Sequence, residues 1–376
     1  MTHTTAPATG VDITKAISDG AATFAVLLDS GFMDECVNHL NTHFVLPHMS
    51  KLANERLPTH QRNLTDARTR IGTLLEHGFA LALQRALDTR GITEYRISHV
   101  VNNRYPDLYI RDASSTVAIR MEVKALELIS EEKSANFDAL VRDINPQQDL
   151  LCVLLWEWAE ADYDAARVDA PLVRRGFAFE AYPIAKARDL GWLAQRDPGQ
   201  VKGIDFSGPV VGNTESLKKE EHNMGKLMRI LDDAAPLSED LARYPSVREY
   251  RAFRSTTISE GLAHNATAML KGLGIVIEQP DDFVHSATAI QTVASGSLFD
   301  GSKHVIVATG GRLTLRSIRA YAAELNALES PKATVLIFTD KFNWSIYDYD
   351  GRVLTLEDKG RKAPSALRCL RSLLGL

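Results

Sequence analysis

The apolar run LLCVLLW, residues 150–156, is the feature that most restricts how this chain can fold. It is short, wholly apolar and bounded by polar residues, a pattern typical of a strand that is buried on both faces. Such strands lie in sheets that helices cover on both sides. A further strand is predicted around residues 176–181, and a helix after Pro183. Strands and helices therefore alternate along the chain, which predicts an α/β fold.

The length of the chain predicts more than one domain, because 376 residues exceed the roughly 100–200 residues of a typical domain. The hydrophobic pattern divides the chain into a helical region over residues 1–64, a core over 65–235 and an α/β region over 236–376. The second boundary rests on the interrupted pattern between Pro236 and Pro245. Beyond it, we predict a strand, a helix, a strand and a hairpin that turns at Asp350-Gly351.

Charge and cysteine content restrict the partners and the compartment. The chain has 43 Lys and Arg against 48 Asp and Glu, a net charge of −5, so a nucleic acid could be bound only by a local basic patch. Its three cysteines are far apart and lack CxxC spacing, which favours a reducing compartment over disulfides or a cysteine zinc site. We find neither a secretion signal nor an apolar run of ~18 residues. We therefore expect a cytoplasmic protein with no membrane partner.

Residues 107–124 predict a β-hairpin with one apolar and one mostly polar face. Apolar and polar side chains alternate over 107–111 and over 117–124, and the residues between them, Asp-Ala-Ser-Ser, are typical of a turn. If the hairpin closes symmetrically about this turn, Arg111 faces Thr116 and Asp107 faces Arg120.

On that register, Asp107, Glu122 and Lys124 share the polar face. Glu122 is the diagonal neighbour of Asp107, within ~7–8 Å, so both carboxylates can reach one ion. Converging carboxylates are costly unless a cation neutralises them, and their hard oxygen atoms suit Mg²⁺ or Mn²⁺. Lys124 adds an ammonium group beside that ion. Two acids, an amine and a divalent ion are suited to phosphodiester hydrolysis.

The residues Pro106-Asp107, followed after fourteen positions by Glu122-Val123-Lys124, resemble the signature of the PD-(D/E)XK nuclease superfamily. The resemblance covers about residues 65–235. It implies a restriction-endonuclease-like core, in which a central mixed β-sheet is flanked by helices. It also implies that Asp107, Glu122 and the Val123 carbonyl hold a catalytic Mg²⁺, for which Mn²⁺ substitutes, and that Lys124 acts on the attacking water and the phosphate.

In this family a preceding helix often carries another acidic residue, and Glu76 matches that placement. A helix is predicted from Thr65 to about Leu87, because apolar residues recur at the helical period. They are Ile71, Leu74, Leu75, Phe79, Leu83 and Ala86. Glu76 would orient Lys124 or hold a second ion through water. The alternative is a solvated surface glutamate.

Within the superfamily, the length and the added terminal regions are most similar to a type II restriction endonuclease. This similarity implies a Mg²⁺-dependent endonuclease that acts on double-stranded DNA as a homodimer. A repair or recombination nuclease of the same fold and a non-catalytic DNA-binding protein are the alternatives, as is an ordinary amphipathic hairpin. The C-terminal region would recognise DNA, form the dimer or complete the core.

The helix predicted over residues 215–232 is the first candidate for DNA contact. Its cationic side has Lys218, His222, Lys226 and Arg229, and His222 and Asn223 are placed to reach base edges. The alternative is a solvated helix in which Glu220 and Glu221 balance the lysines. We predict no nucleotide cofactor, because the sequence lacks both a GxGxxG pattern and a P-loop lysine motif.

Overall fold

The chain divides into two units, Met1–Phe253 and Arg254–Leu376. Each unit contains one β-sheet with helices, which confirms the α/β class. The computed structural model describes residues 8–55, 61–100, 105–128, 137, 139, 141–193, 231, 238–278, 284–285, 290–310, 314–327, 333–339, 344–349, 353–360 and 363–376. The predicted regions 1–64 and 65–235 both lie in the first unit, and region 236–376 contributes to both units.

Short helices form the start of the chain, as the sequence predicts. They are α1 (Gly10–Asp19), α2 (Ala21–Leu27), α3 (Met33–Leu40) and α4 (Leu46–Met49), with π-helical turns at Leu28–Phe32 and Asn41–Val45. Thr9 begins α1 with a capping box, because its hydroxyl accepts from the Asp12 N–H and the Asp12 carboxylate accepts from the Thr9 N–H. Helix α5 (Gln61–Thr89) follows and confirms the helix predicted from Thr65 to Leu87.

The first unit contains a six-stranded mixed sheet. Its strands are β1 (Lys51–Leu52), β2 (Tyr95–His99), β3 (Leu108–Asp112), β4 (Val117–Glu127), β5 (Asp149–Tyr163) and β6 (Ala166–Glu180). They are arranged in the order β1-β6-β5-β4-β3-β2. Strands β4 and β5 are parallel, and the other neighbours are antiparallel.

Hydrophobic cores lie on both faces of this sheet. Side chains of α1 to α5 pack on one face, against Met121, Val123 and alternate residues of β5. Helix α6 (Ala181–Leu193) and the start of α7 (Pro245–Gly272) pack on the other face, against the intervening residues of β5. All seven residues of 150–156 are buried, which confirms the strand predicted from the apolar run.

Two details of the helix predictions are wrong. Leu74 is 49% exposed, so it does not belong to the buried stripe of α5. The other predicted residues Leu75, Phe79, Leu83 and Ala86 are buried in the core. Helix α6 begins at Ala181 rather than after Pro183, since a proline near the start of a helix removes an N–H that has no partner within the helix.

The hairpin of β3 and β4 is confirmed, but the predicted register is wrong by two residues. Tyr109, not Asp107, lies opposite Arg120, and Arg111 lies opposite Val117 rather than Thr116. The turn is one residue longer than predicted, and the Asp112 carboxylate stabilises it by accepting the backbone N–H groups of Ser114 and Thr116. A bulge after Ile110 shifts the register again. The turn and the bulge each shift the pairing by one residue. Together they leave the alternation of side chains unchanged, so each residue lies on the face of the hairpin that was predicted for it.

The second unit has its own sheet. Its strands are β7 (Val276–Glu278), β8 (Val284–His285), β9 (Ile290–Ser297), β10 (His304–Gly310), β11 (Ala333–Thr339), β12 (Trp344–Tyr349) and β13 (Leu354–Gly360). The order is β13-β12-β11-β10-β9-β7, with β8 paired to β9. Helices α8 (Leu315–Ala327) and α9 (Ala363–Leu374) complete it. The predicted strand, helix and strand are present, and β12 and β13 pair antiparallel as the predicted hairpin requires, while its turn at Asp350-Gly351 lies outside the described residues. Among the described residues, none of the helices combines the length and the apolar character of a membrane span.

Asp29 is a half-buried acid at the edge of β6. It borders a cavity of about 320 Å³, and its Oδ1 accepts the Ala178 N–H at 3.0 Å. Burial raises the pKa of this carboxyl from 3.8 to about 7, because desolvation disfavours the carboxylate. Between about pH 4 and pH 7 the folded chain therefore holds a proton that the unfolded chain releases.

We expect the free energy of unfolding to fall as the pH rises from about 4 to about 7, by roughly 2–4 kcal/mol from Asp29 alone. Asp29→Asn should therefore be more stable than the wild type at pH 8 and nearly equal to it at pH 4. Denaturant unfolding at both pH values measures this, with the exposed Asp19→Asn as the control. Equal stability of Asp29→Asn and the wild type at pH 8 would contradict the expectation.

Candidate active site

The candidate site lies where β4 runs past the end of β3. The first residue of β3, Leu108, pairs with Met121, whereas β4 continues to Glu127. Side-chain carboxylates bind the backbone of β4 beyond that point. Asp107 Oδ2 accepts the Val123 N–H at 2.9 Å, and the Glu76 carboxylate accepts the Ala125 N–H. Acids from a loop and from a helix thus converge on one strand edge.

The ammonium of Lys124 joins the carboxylates on this edge. Lys124 Nζ lies 2.8 Å from Glu122 Oε1 and 3.5 Å from Asp107 Oδ2. The structure therefore brings together Asp107, Glu122 and Lys124, as the sequence predicts. Extension of the β3–β4 register places Asp107 directly opposite Glu122, so the diagonal relation predicted for the two acids is wrong.

Helix α5 brings Glu76 to the site by packing closely on the N-terminal helices. A Cβ atom at Gly78 would lie 2.9 Å from Leu40 Cδ1, so a larger residue there would have to displace the end of the Leu40 side chain. The neighbouring Leu75 and Phe79 are buried in the same core. Glu76 is half-buried, and the charges of Lys124, Asp107 and Glu122 shift its pKa. It is therefore part of the cluster rather than a solvated surface residue.

The charges of the cluster set its protonation. Burial acts to lower the pKa of Lys124, but the carboxylates around it outweigh burial, and the pKa lies above its ordinary value. Lys124 is thus a permanent cation and a hydrogen-bond donor at neutral pH, not a base. Burial raises the pKa of Glu76 to about 7, and Lys124 only partly opposes this. Glu76 can therefore gain or release a proton near neutral pH.

The oxygen atoms of the site suit a hard divalent cation. Asp107 and Glu122 converge on the position of Lys124 Nζ. The Val123 N–H points toward Asp107, and because the N–H and C=O of a strand residue point to the same side, the Val123 carbonyl does so too. Two carboxylates and a carbonyl are the ligands that Mg²⁺ and Mn²⁺ prefer. Within the described residues, no group of three or more His, Cys, Asp or Glu is arranged to hold a metal ion.

A second network, which the sequence did not reveal, fixes the loop before Asp107. Tyr105 donates its hydroxyl to Asp149 Oδ2 at 2.8 Å. Arg120 donates Nε and Nη2 to the same carboxylate, both at 2.5 Å. The Asn145 N–H also binds Asp149, at 3.0 Å. Because Tyr105 lies two residues before Asp107, this buried carboxylate positions the loop that carries a site acid.

The DNA-binding residues predicted on the helix over 215–232 lie outside the described residues. They are Lys218, His222, Asn223, Lys226 and Arg229. Their assignment stays a prediction from the sequence.

Comparison of the chain with protein-family models, with curated proteins and with solved structures found no match. The interpretation of the site therefore depends on its own geometry.

Proposed function

We propose that this protein is a Mg²⁺-dependent endonuclease that hydrolyses phosphodiester bonds of double-stranded DNA. The observation that carries the proposal is the convergence of Asp107, Glu122 and Lys124 at the edge of β4. A type II restriction enzyme that works as a cytoplasmic homodimer is the first form of the proposal, on the resemblance of the sequence motif.

Each side chain of the site has a separate role in hydrolysis. Water attacks the phosphorus atom, the bond to the 3′ oxygen breaks, and negative charge grows on the phosphate oxygens. Lys124 donates hydrogen bonds to the attacked phosphate and stabilises that charge. Asp107, Glu122 and the Val123 carbonyl would hold Mg²⁺, which supplies Lewis-acid activation of water and screens the phosphate. Glu76 orients Lys124 and exchanges a proton near neutral pH.

A cleavage assay tests this function. We expect supercoiled plasmid and phage DNA to be cut by the purified full-length chain in Mg²⁺ or Mn²⁺, and to stay intact in EDTA. Discrete fragments would identify a sequence-specific restriction enzyme. Lack of metal-dependent cleavage both on unmethylated duplex DNA of diverse sequence and on gapped or branched DNA would refute the proposed activity.

A structure-specific repair or recombination nuclease is the second form of the same activity. It is favoured by the surface next to the site, where an aromatic ring and arginine side chains continue along β3 and β2. Cutting at branches or gaps, without a common sequence at the ends, would distinguish this form from restriction.

A further inference from the structure

The polar face of β2 and β3 continues directly from the candidate site. Tyr109 lies two residues after Asp107 on the same face, which places it roughly 7 Å farther along the strand. Ser98 of β2 lies opposite Tyr109, and Arg96 lies opposite Arg111. We name Arg96, Ser98, Tyr109 and Arg111 the sheet platform.

The described helices leave the sheet platform accessible. Helix α5 packs on the opposite face of the sheet, where Leu108 and Ile110 are buried. Helix α6 and the start of α7 pack on the platform's own face, but against residues of β5 and β6. Tyr109, Arg111 and Ser98 are partly exposed, and Arg96 is exposed. The side chains of Asp107 and Lys124 are 23% and 15% exposed, so a ligand on the platform can also reach these two residues of the site.

The chemistry of the platform fits a strand with bases and phosphates. The Arg111 guanidinium lies over the Tyr109 ring at 4.7 Å, so a base that stacks on Tyr109 takes the other face of the ring or displaces the guanidinium. Ser98 is small and leaves space beside the ring. Arg96 is joined to Asp88 at 3.6 Å, but both side chains are more than half exposed. An exposed ion pair of this kind is weak, so a phosphate can replace Asp88.

The nearby acid Asp112 does not compete for these arginines. Its carboxylate accepts hydrogen bonds from Ser114 and Thr116 in the turn, and these bonds lower its pKa. Arg120, on the neighbouring strand, is bound to Asp149 and is not available for phosphate. Among the described cations beside the site, Arg96 and Arg111 remain for a ligand, although Arg111 Nη1 donates to the Ser115 carbonyl at 3.0 Å, an exposed bond that a phosphate can replace.

On the strength of the proposed nuclease function, we propose that the sheet platform binds an unpaired DNA strand next to the bond that is cut. A base stacks on Tyr109, and Arg111 and Arg96 bind the phosphates that follow it. Bases inside a duplex stack on each other and cannot lie on Tyr109, so the preferred substrate is duplex DNA with an unpaired stretch, such as a gap or a branch. This assignment selects the structure-specific form of the enzyme.

Fluorescence anisotropy of labelled oligonucleotides, with the full-length chain in EDTA, tests the platform without cleavage. We expect Tyr109→Ala to weaken binding of a single strand about 5- to 100-fold, the usual effect of removing one stacked base, with little change for a blunt duplex. Tyr109→Phe should bind like the wild type, because stacking needs only the ring. The matched control is Tyr163→Ala, which removes an exposed aromatic from the far end of β5.

Arg96→Ala provides a second test that does not depend on Tyr109, since an exposed side chain can be removed without loss of folding. Removal of one phosphate contact should reduce the slope of log affinity against log salt by about 0.7 for a single strand. The proposal is overturned if Tyr109→Ala binds a single strand within twofold of the wild type, or if the salt slope of Arg96→Ala is unchanged.

The two proposals fail separately. Metal-dependent cleavage by the wild type together with normal binding by Tyr109→Ala would refute the platform and keep the nuclease. Conversely, Tyr109-dependent binding by a chain that cuts no DNA would refute the nuclease and keep a binding protein for single strands.

Discussion

Lys124→Met is expected to slow Mg²⁺-dependent DNA cleavage by about 10²–10³-fold, the usual effect of removing one donor to a developing negative charge. Its ammonium is the one cation in direct contact with both Asp107 and Glu122 among the described residues. Methionine keeps the length and the apolar stem of the side chain but removes the charge. Because the lost interaction strengthens in the transition state, the rate constant of cleavage should fall more than the affinity for DNA.

Lys51→Met is the matched control for this experiment. Lys51 also pairs with a carboxylate, Asp169, at 2.7 Å, and its side chain is 18% exposed against 15% for Lys124. It lies on β1, at the other edge of the sheet. Initial rates on plasmid DNA should therefore stay near the wild-type rate in Lys51→Met. A Lys124→Met rate within threefold of the wild type would show that Lys124 has no role in the chemistry.

Asp107→Asn and Glu122→Gln extend the prediction to the acids. Each should lower cleavage as strongly as Lys124→Met and should raise the Mg²⁺ concentration needed for half of the remaining rate. Binding of DNA in EDTA should survive in both variants, because neither acid contacts the phosphate except through a cation.

The sequence was sufficient to predict which face of the hairpin carries the site. Side chains alternate strictly along a strand, so the apolar residues of β4 placed Glu122 and Lys124 on the opposite face whatever the register. The register itself was not predictable. It depends on the Asp112 carboxylate in the turn and on a bulge after Ile110, and neither has a signature in the alternating pattern.

The involvement of Glu76 was only partly predictable. The helical period placed it beside Leu75 and Phe79, close to the core. Its contact with the Ala125 N–H depends on where β3 stops, which only the assembled sheet reveals. Asp149 gave no local signal at all, because its partners Arg120 and Tyr105 are distant in sequence and meet it through the parallel pairing of β4 with β5.

Arg120→Met is expected to destabilise the first unit by about 3–5 kcal/mol, the usual cost of breaking a buried ion pair by removing one partner. The side chain of Asp149 is fully buried, and Arg120 is its cationic partner. Tyr105 and Asn145 would still donate to the carboxylate, but neither carries a charge. A buried carboxylate without a cation is therefore what makes the variant unstable.

Hydrogen exchange of the 150–156 peptide measures this loss locally, so that the second unit does not obscure the result. Where exchange requires opening of the unit, 3–5 kcal/mol corresponds to exchange that is about 10²- to 5 × 10³-fold faster. Arg167→Met is the control, since Arg167 pairs with Glu160 and both are mostly exposed. An exposed pair contributes at most about 1 kcal/mol.

The double variant Arg120→Met with Asp149→Asn distinguishes a charge effect from lost packing. If the uncompensated carboxylate causes the instability, neutralising Asp149 should recover part of the stability, and the double variant should exchange more slowly than Arg120→Met alone. If the lost contacts of the arginine stem are the cause, the second substitution should destabilise the first unit further. Because the same carboxylate holds Tyr105 two residues before Asp107, both variants should also cut DNA more slowly than the wild type, even at temperatures where they remain folded.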